Sequence, residues 1–341
     1  MIMIITITKT KIKGDIVMKR WLLPLLVVVV VALSACGNTA NNNSAAETNN
    51  SASEANASSS TNSSANESSA DTITYQSENG PIEVPANPQR VVMLSGHAGS
   101  LLKLGVPIAG TDSWAKANPN FKDQLQDVPE VSVENIESIL NVKPDLIIAS
   151  TDIQNADKLK QIAPLVTYTY NKVDYLTQVL EIGKAVNKEA EAAAWVADFK
   201  ERAREAGEEI KAKIGADSTI SIIEGDSKAL YTFGDAWGRG TEIVYQAMGL
   251  NMPDKVKEMT AEAGYYDLSL EVLPEYMGDY VIYSKDSNAD ASFQETSTYK
   301  NIPAVKNNRV FEVEATGFYF NDALSLDYQL DFITQSLLGS N

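Results

Sequence analysis

The chain has 341 residues, more than one compact domain usually needs, so its length allows two lobes. Its formal charge of −17, from 28 basic and 45 acidic residues, argues against a nucleic-acid-binding surface. It contains a single histidine, His97, and a single cysteine, Cys36. This scarcity excludes internal disulfides and zinc sites built from several Cys and His ligands. It also leaves Ser-His-Asp or Cys-His catalysis to His97 alone.

Residues 1–35 have the pattern of an export signal. A basic pair at 19–20 precedes an apolar run at 21–32, and small residues follow. The run is too short to be a good membrane span. Met18 makes a natural start, so residues 1–17 are a candidate over-extension of the gene.

The segment Leu33-Ser-Ala-Cys36 resembles the bacterial lipobox. In that motif the cysteine thiol receives a diacylglyceryl group, and the cysteine becomes the first residue of the mature chain. We therefore predict that Cys36 is lipidated and holds the protein at the outer face of the cytoplasmic membrane. The alternatives are a plain signal peptide and a buried structural cysteine.

A low-complexity segment follows the lipobox. Between residues 37 and 70, 27 of 34 residues are Ser, Asn or Ala, and none is aromatic or a large aliphatic. Such a segment buries too little apolar surface to offset its ordering entropy. We interpret residues 36–71 as a lipidated and disordered tether, with a reach of roughly 30 Å as a random coil.

Strand-like and helix-like runs alternate from residue 72 onward, which predicts an α/β fold. The predicted strands are 90–94, 145–149, 219–224, 280–283 and 309–313, and the predicted helices are 133–141, 242–248 and 323–338.

A helical stretch without proline, 174–214, lies between the two halves. As one helix of about 40 residues it would span roughly 60 Å and cross two lobes as a rigid connection. A break near Gly207 into two helices is the alternative. We therefore expect an N-terminal α/β lobe over 72–173 and a C-terminal α/β lobe over 215–341.

The two halves share a repeated segment. Residues 135–148 align with residues 269–282, and each copy has a glutamate at a helix start, Glu137 or Glu271. An aspartate follows each glutamate by eight residues and opens an apolar strand. Pro274 belongs in the first turn of its helix, so Glu271 should lie at or just before the helix N-terminus. The repeat indicates two lobes of similar plan with equivalent glutamates.

Lys143-Pro-Asp-Leu-Ile-Ile148, after Asn-Ile-Glu137, resembles the signature of substrate-binding proteins of iron–siderophore and vitamin B12 importers. The segments 230–240, 244–252 and 317–322 are similar to the ferric-hydroxamate-binding lipoproteins of Gram-positive bacteria. The resemblance covers essentially all of the chain after the tether. It implies class III substrate-binding protein architecture: α/β, with two lobes joined by one long rigid helix and a shallow ligand cleft between them. It also implies a monomer that is not an enzyme, needs no cofactor and delivers its ligand to the permease dimer of an ABC importer.

A hydroxamate siderophore fills the six coordination positions of iron with its own oxygens, so its receptor needs no metal ligands. The receptor needs aromatic faces and a donor for the iron-bound oxygens. Trp237-Gly-Arg239-Gly combines an indole, a guanidinium and glycines that allow close approach. By the resemblance, the ligand-binding side chains are Tyr170, Tyr231, Trp237, Arg239, Phe318, Tyr319 and Phe320.

Three further residues have open interpretations. The family pattern has a tyrosine where this chain has His97. The histidine follows a predicted strand and opens a helix that faces the expected cleft. It is therefore either a cleft residue or a surface residue at a helix start. Glu137 and Glu271 stabilise helix N-termini as carboxylates generally do. The family supplies a second role, in which each glutamate pairs with arginines on one half of the permease dimer.

The alternative ligands within the same fold are another iron chelate (catecholate or citrate), haem or vitamin B12. An iron tris-catecholate carries three negative charges and favours several cations, whereas the motif-bearing segments offer chiefly Arg239. Haem would need an axial ligand, for which His97 or a tyrosine is the candidate. A remote alternative is a secreted hydrolase with Glu137 and Glu271 as paired carboxylates. Glycosidase carboxyls lie within about 10 Å of each other, whereas these two fall on separate lobes.

Overall fold

Two sheets, one in each half of the chain, form the frame of the protein. The structure is a computed structural model, and it describes residues 71–339. The predicted signal peptide, Cys36 and nearly all of the predicted tether lie outside the described residues. Within the described part, no helix combines the length and apolar character needed to cross a membrane.

The N-terminal half begins with an antiparallel hairpin and continues into a four-stranded parallel sheet of order β4-β3-β5-β6. The strands of this sheet are almost wholly buried, which is typical of parallel sheets covered on both faces. The strands of this half are β1 (Thr72–Ser77), β2 (Gly80–Pro85), β3 (Val91–Leu94), β4 (Ile108–Thr111), β5 (Leu146–Ser150) and β6 (Leu165–Tyr168). Its helices are α1 (Ala98–Lys103), α2 (Ser113–Ala117), α3 (Lys122–Leu125), α4 (Ile136–Asn141) and α5 (Ala156–Leu159), with a 3₁₀ turn at Pro119–Phe121.

The connecting segment consists of two helices, α6 (Tyr175–Ala185) and α7 (Glu189–Ile214), so the prediction of one helix over 174–214 is wrong. Asn187 lies between them in the left-handed region, at φ 55°, and its side chain donates to the carbonyl of Ala86. The chain reverses there, and α7 alone crosses the molecule. Its 26 residues span about 39 Å rather than 60 Å.

Gly207, the expected breaking point, lies inside α7. A Cβ at this position would lie 2.3 Å from the carbonyl oxygen of Met248. The glycine therefore permits close packing against the following lobe and does not end the helix.

The C-terminal half has a five-stranded mixed sheet of order β11-β10-β7-β8-β9. The pairs β11–β10 and β10–β7 are parallel, whereas β8 pairs antiparallel with both of its neighbours. The strands are β7 (Ile220–Gly225), β8 (Leu230–Phe233), β9 (Tyr265–Leu268), β10 (Tyr280–Lys285) and β11 (Val310–Glu314). The helices are α8 (Asp254–Thr260), α9 (Ser297–Lys300), α10 (Pro303–Lys306), α11 (Ala315–Phe318) and α12 (Ala323–Gly339), with a π-helix at Glu242–Ala247 and 3₁₀ turns at Leu273–Glu275 and Ser292–Glu295.

The repeated aspartates have the same structural role in both halves. The carboxylate of Asp145 accepts hydrogen bonds from the backbone N–H groups of Gln89 (2.6 Å) and Arg90 (3.0 Å), at the start of β3. The carboxylate of Asp279 accepts from the backbone N–H (2.9 Å) and hydroxyl (3.0 Å) of Thr219, at the start of β7. Each aspartate thus joins its own strand to a neighbouring parallel strand, which explains why the pattern occurs once per half.

One buried apolar cluster includes side chains of both halves and passes through α6, α7 and α12. Smaller clusters lie on the far side of each sheet. The predicted α/β class and two-lobe arrangement are confirmed. All five predicted strands occur with ends within two residues of the predicted bounds.

Candidate functional site

A cavity of about 240 Å³ lies between the two lobes. The N-terminal lobe lines it with residues that follow the carboxyl ends of its parallel strands, the usual place for ligands in α/β sheets. The C-terminal lobe contributes Gly238 and the segment 319–321. A wider, more open cavity of about 1030 Å³ adjoins it and shares Asn171. We call these two cavities together the cleft.

The loop after β8, residues 237–240, has an unusual backbone. Gly238, Arg239 and Gly240 all have positive φ values, of 66°, 59° and 85°. A Cβ at Gly238 would lie 2.3 Å from the carbonyl oxygen of Tyr319, and the N–H of Arg239 donates to the carbonyl of Phe318 at 2.6 Å. The glycines therefore let the loop lie directly on the 318–319 segment, which fixes the direction of the Arg239 side chain.

Trp237 lies in an aromatic group on the wall of the wider cavity. Its ring makes an edge contact with Tyr265 at 5.0 Å and lies over Gly264, where a Cβ would collide with the indole nitrogen. Tyr231 makes an edge contact with Tyr265 at 6.4 Å. Of these three, only Trp237 lines a cavity; Tyr231 and Tyr265 pack beside it, and Tyr265 was not predicted. Tyr265 is 41% exposed at the start of β9, and no sequence motif marks it.

Arg239 forms a bidentate ion pair with Glu224 of β7. Its Nε and Nη2 each donate to one carboxylate oxygen at 3.0 Å, and Nη1 donates to the carbonyl of Trp237 at 2.9 Å. The guanidinium lies 4.8 Å from the ring centre of Phe233 and 5.0 Å from that of Tyr319. Three of its five N–H groups are thus bonded within the described residues, and two remain for another acceptor. Arg239 itself lines neither cavity; it lies behind Tyr319, which does, and its charge is already paired.

The aromatic triplet 318–320 divides between core and cleft. Phe318 is 1% exposed and packs edge-on against Phe332, so it supports the wall from behind and does not line the cavity. Tyr319 and Phe320 line the cavity. Trp114 of α2, 59% exposed, makes an edge contact with Tyr319 at 5.9 Å across the lobes, and the sequence reasoning missed it.

The N-terminal lobe and the connecting helix α6 together contribute an exposed aromatic residue and two unpaired polar atoms. Tyr170 is 64% exposed at the mouth of the cavity. His97 Nδ1 and Gln178 Nε2 are buried at the cavity without a hydrogen-bond partner among the described residues. Burial lowers the pKa of His97 to about 4, so the imidazole is neutral at ordinary pH. Gln178 was not predicted, because on α6 it appears as an ordinary polar helix residue.

Glu242 is a further residue that sequence reasoning did not single out. It is 2% exposed beneath the 237–240 loop, and it accepts from the N–H of Gly238 at 3.0 Å and the hydroxyl of Thr241 at 2.9 Å. The side-chain amide of Asn321 also donates to it at 3.3 Å. Burial raises the pKa of Glu242, and these donors oppose that shift. The carboxylate therefore holds the loop against the segment that carries Tyr319.

The two glutamates of the repeat lie away from the cleft, one on each lobe. Glu137 is exposed in the first turn of α4, whose start is capped by the side chain of Asn135. Glu271 is exposed two residues before the 3₁₀ turn Leu273–Glu275, as the position of Pro274 predicts. Within residues 71–339 neither carboxylate has a salt-bridge partner, so both are available to an external cation.

Residues 91–316 match the periplasmic binding protein family, a segment that includes both sheets apart from the N-terminal hairpin. The chain belongs to this family. It is therefore a substrate-binding protein and not an enzyme, and the hydrolase alternative is wrong. The two-lobe class III architecture follows from the same membership.

Two curated relatives from Bacillus subtilis (strain 168) align over nearly the whole chain. The iron(3+)-hydroxamate-binding protein FhuD is 36% identical, over 91% of this chain and 95% of that protein. The iron(3+)-hydroxamate-binding protein YxeB is 33% identical, over 93% and 96%. Both place the chain in the FhuD group of siderophore-binding proteins.

A similar solved structure is that of a FhuD fold-family component of a ferrichrome ABC transporter from Bacillus subtilis. It has a TM-score of 0.72 and 36% identity, with 77% of this chain and 99% of that chain covered. FhuD2 from Staphylococcus aureus with bound ferrioxamine B has a TM-score of 0.70 and 33% identity, with 74% and 99% covered.

Proposed function

We propose that this protein captures ferric hydroxamate siderophores in the cleft and delivers them to the permease of an ABC importer. The observation that carries the proposal is the set of aromatic residues around the cleft: Tyr170 and Tyr319 line the cavity between the lobes, and Trp237 lines the adjoining one. Arg239 lies directly against the ring of Tyr319. These residues offer aromatic faces for an apolar shell and two free N–H groups for iron-bound oxygens. The named ligands of the relatives support the same substrate class.

The chemistry of the cleft suits a fully chelated metal. Among the described residues, no group of three or more His, Cys, Asp and Glu side chains could hold a metal ion. A siderophore supplies all six oxygens itself, so the protein needs only to recognise the outer surface of the complex. His97 Nδ1 is an unpaired ring nitrogen that accepts from or donates to the ligand according to its tautomer, and Gln178 Nε2 is a free donor for a carbonyl.

The test is a titration of the purified protein with ferrichrome, ferrioxamine B, a ferric catecholate, ferric citrate and haem, followed by tryptophan quenching. We expect the two hydroxamates to bind more tightly than the others. Trp237→Phe should remove part of the quenching, since Trp114, exposed beside Tyr319, also reports on the cleft. Trp195→Phe, at a buried tryptophan, is the matched control. Preferential binding of haem or citrate would contradict the proposal.

We propose that delivery depends on Glu137 and Glu271. Their exposure, one per lobe, gives a two-point contact that would orient the protein on a two-fold permease. The double change Glu137→Ala with Glu271→Ala should abolish uptake and leave ligand affinity nearly unchanged. Glu134→Ala, at another exposed glutamate beside α4, is the control. Loss of affinity with normal uptake would show that the two glutamates are misassigned.

We further propose that Cys36 anchors the protein through an N-terminal lipid. The prediction rests on the lipobox resemblance, since the cysteine lies outside the described residues. Cys36→Ser should release the protein from the membrane fraction. A variant that still sediments with membranes and still incorporates fatty acid would contradict this.

A further inference from the structure

Glu224 is fixed against Arg239 by more than the ion pair itself. Its Oε2 accepts both from Arg239 Nε at 3.0 Å and from the hydroxyl of Ser284 at 2.8 Å, while Oε1 accepts from Arg239 Nη2 at 3.0 Å. The two side chains are only 16% and 22% exposed. Ser284 is itself fully buried on β10, so the carboxylate has one defined position.

Arg239 lies 5.0 Å from the ring centre of Tyr319, which lines the cavity, so its pairing with Glu224 affects the electrostatic character of that wall. A guanidinium and a carboxylate in bidentate contact have no net charge, yet the guanidinium keeps two N–H donors for a ligand. The other charged groups that act on the neighbouring Tyr319 are Asp286 and Glu314. Burial raises the pKa of Tyr319 to about 12, and Glu224 adds to this effect while Arg239 opposes it. The wall therefore offers hydrogen-bond donors without a positive potential.

Ferric chelates differ sharply in charge. A ferric tris-hydroxamate core is uncharged, because three hydroxamate anions balance Fe³⁺, whereas a ferric tris-catecholate core carries three negative charges. Moving an anion into a partly buried site without a counter-charge is costly. An arginine alone would attract the anionic chelate, but an arginine paired with a carboxylate would not.

We propose that Glu224 is the specificity-determining residue of the cleft: by neutralising Arg239 it admits uncharged ferric chelates and rejects anionic ones. This inference rests on the proposed function. It assigns Glu224 a role in selectivity, which acts through Arg239, rather than a contact with the ligand.

The test compares ferrichrome, an uncharged chelate, with ferric enterobactin, an anionic one, on the wild-type protein and on Glu224→Gln. The wild type should prefer ferrichrome by roughly tenfold or more, and Glu224→Gln should shift the affinity ratio toward the anion by a similar factor. Ser284→Ala is the matched control, since it removes one hydrogen bond of the carboxylate without changing any charge. It should leave the ratio unchanged.

A double variant separates charge from structure. Glu224→Gln with Arg239→Gln again has no net charge, so its ratio should return toward that of the wild type even though both affinities fall. Equal loss of both ligands in Glu224→Gln would mean a merely structural role and would overturn the inference. A wild-type protein that binds no ferric hydroxamate would instead overturn the proposed function.

Discussion

Arg239 has its backbone in the left-handed region and its guanidinium held between two aromatic rings and Glu224. We expect such a residue to contribute both to ligand binding and to the stability of the fold around it. Because a hydrogen bond to a charged group is worth about 1.5–3 kcal/mol, Arg239→Ala should weaken ferric hydroxamate binding roughly 10- to 100-fold.

The same change should also lower the stability of the ligand-free protein. From the sequence alone, Arg239 looks like a free cleft residue whose loss costs little stability. The structure instead predicts a loss of about 1 kcal/mol or more, because Glu224, which is 16% exposed, loses its counter-charge and keeps only the hydrogen bond from Ser284. Ligand titrations and unfolding curves of Arg239→Ala and Arg239→Lys would measure both effects. Unchanged affinity with a large loss of stability would place the ligand elsewhere.

The buried imidazole of His97 should make the folded protein less stable in mild acid. Burial lowers its pKa to about 4 in the folded protein, whereas an unfolded histidine titrates near 6.5. Above about pH 6.5 the titration of His97 therefore does not reduce the free energy of unfolding. As the pH falls from about 6.5 toward 4 this free energy declines, since only the unfolded chain takes up the proton. Between pH 7 and pH 5 the wild type should lose up to about 2 kcal/mol more unfolding free energy than His97→Gln. The measurement is the free energy of unfolding of both proteins between pH 7 and pH 5. If the two values fall in parallel, burial does not lower the pKa of His97 and the prediction is wrong.

At the scale of elements, the glycines of the connecting region decide how closely the helices pack. Gly207→Ala places a Cβ against the backbone of Met248, and a backbone atom cannot move aside as a flexible side chain can. We expect a loss of about 1–3 kcal/mol, which exceeds the gain of about 1 kcal/mol from alanine's helix propensity. Gly339→Ala is the control, because no atom lies within 4 Å of its Cβ position. Denaturant unfolding of both variants measures the difference, and a more stable Gly207→Ala protein would contradict the packing argument.

The sequence predicts correctly those elements that are determined by the pattern of neighbouring residues. The buried strands, such as Leu146–Ser150, are uninterrupted apolar runs, and they occur where the sequence predicts them. The break at Asn187 was missed because it depends on a left-handed residue bonded to Ala86, a contact between positions about 100 residues apart.

The same distinction holds for the site. Trp237 and Arg239 lie in a glycine-rich motif, so the sequence singles them out. Glu224 and Gln178 can be recognised only in the folded structure, where Glu224 pairs with Arg239 and Gln178 lines the cavity. Glu224 lies near the end of β7, and no sequence pattern distinguishes it from other glutamates. Only folding brings it into contact with Arg239, fifteen residues later.

At the scale of the whole molecule, Asp327 of α12 joins three helices from different parts of the chain. Its carboxylate accepts from Lys103 of α1 at 2.6 Å, from Arg202 of α7 at 2.5 Å and from the indole of Trp195 at 3.1 Å. Burial opposes ionisation of Asp327, but these donors outweigh it and hold its pKa below the ordinary value. The cluster lies at the junction of the connecting helix with both lobes.

Asp327→Asn should therefore cost about 2 kcal/mol of unfolding free energy near neutral pH. The stabilisation exists above the unfolded pKa of about 3.9 and is lost as the pH falls through the lower folded pKa, so the two proteins should converge in strong acid. Asp331→Asn, one turn further along the helix and without a salt bridge among the described residues, is the control. A constant difference between wild type and Asp327→Asn down to about pH 2 would exclude the charge as its cause.

The apolar cluster that passes from one lobe to the other through α7 and α12 has a consequence for how the protein melts. Lobes with separate cores would melt as two independent units, and each would give its own heat-absorption peak. Here the residues that complete the core of one lobe belong to helices that also complete the core of the other, so cooperativity extends over both. Calorimetry should record a single transition, and a ligand held in the cleft should move that whole transition upward without splitting it.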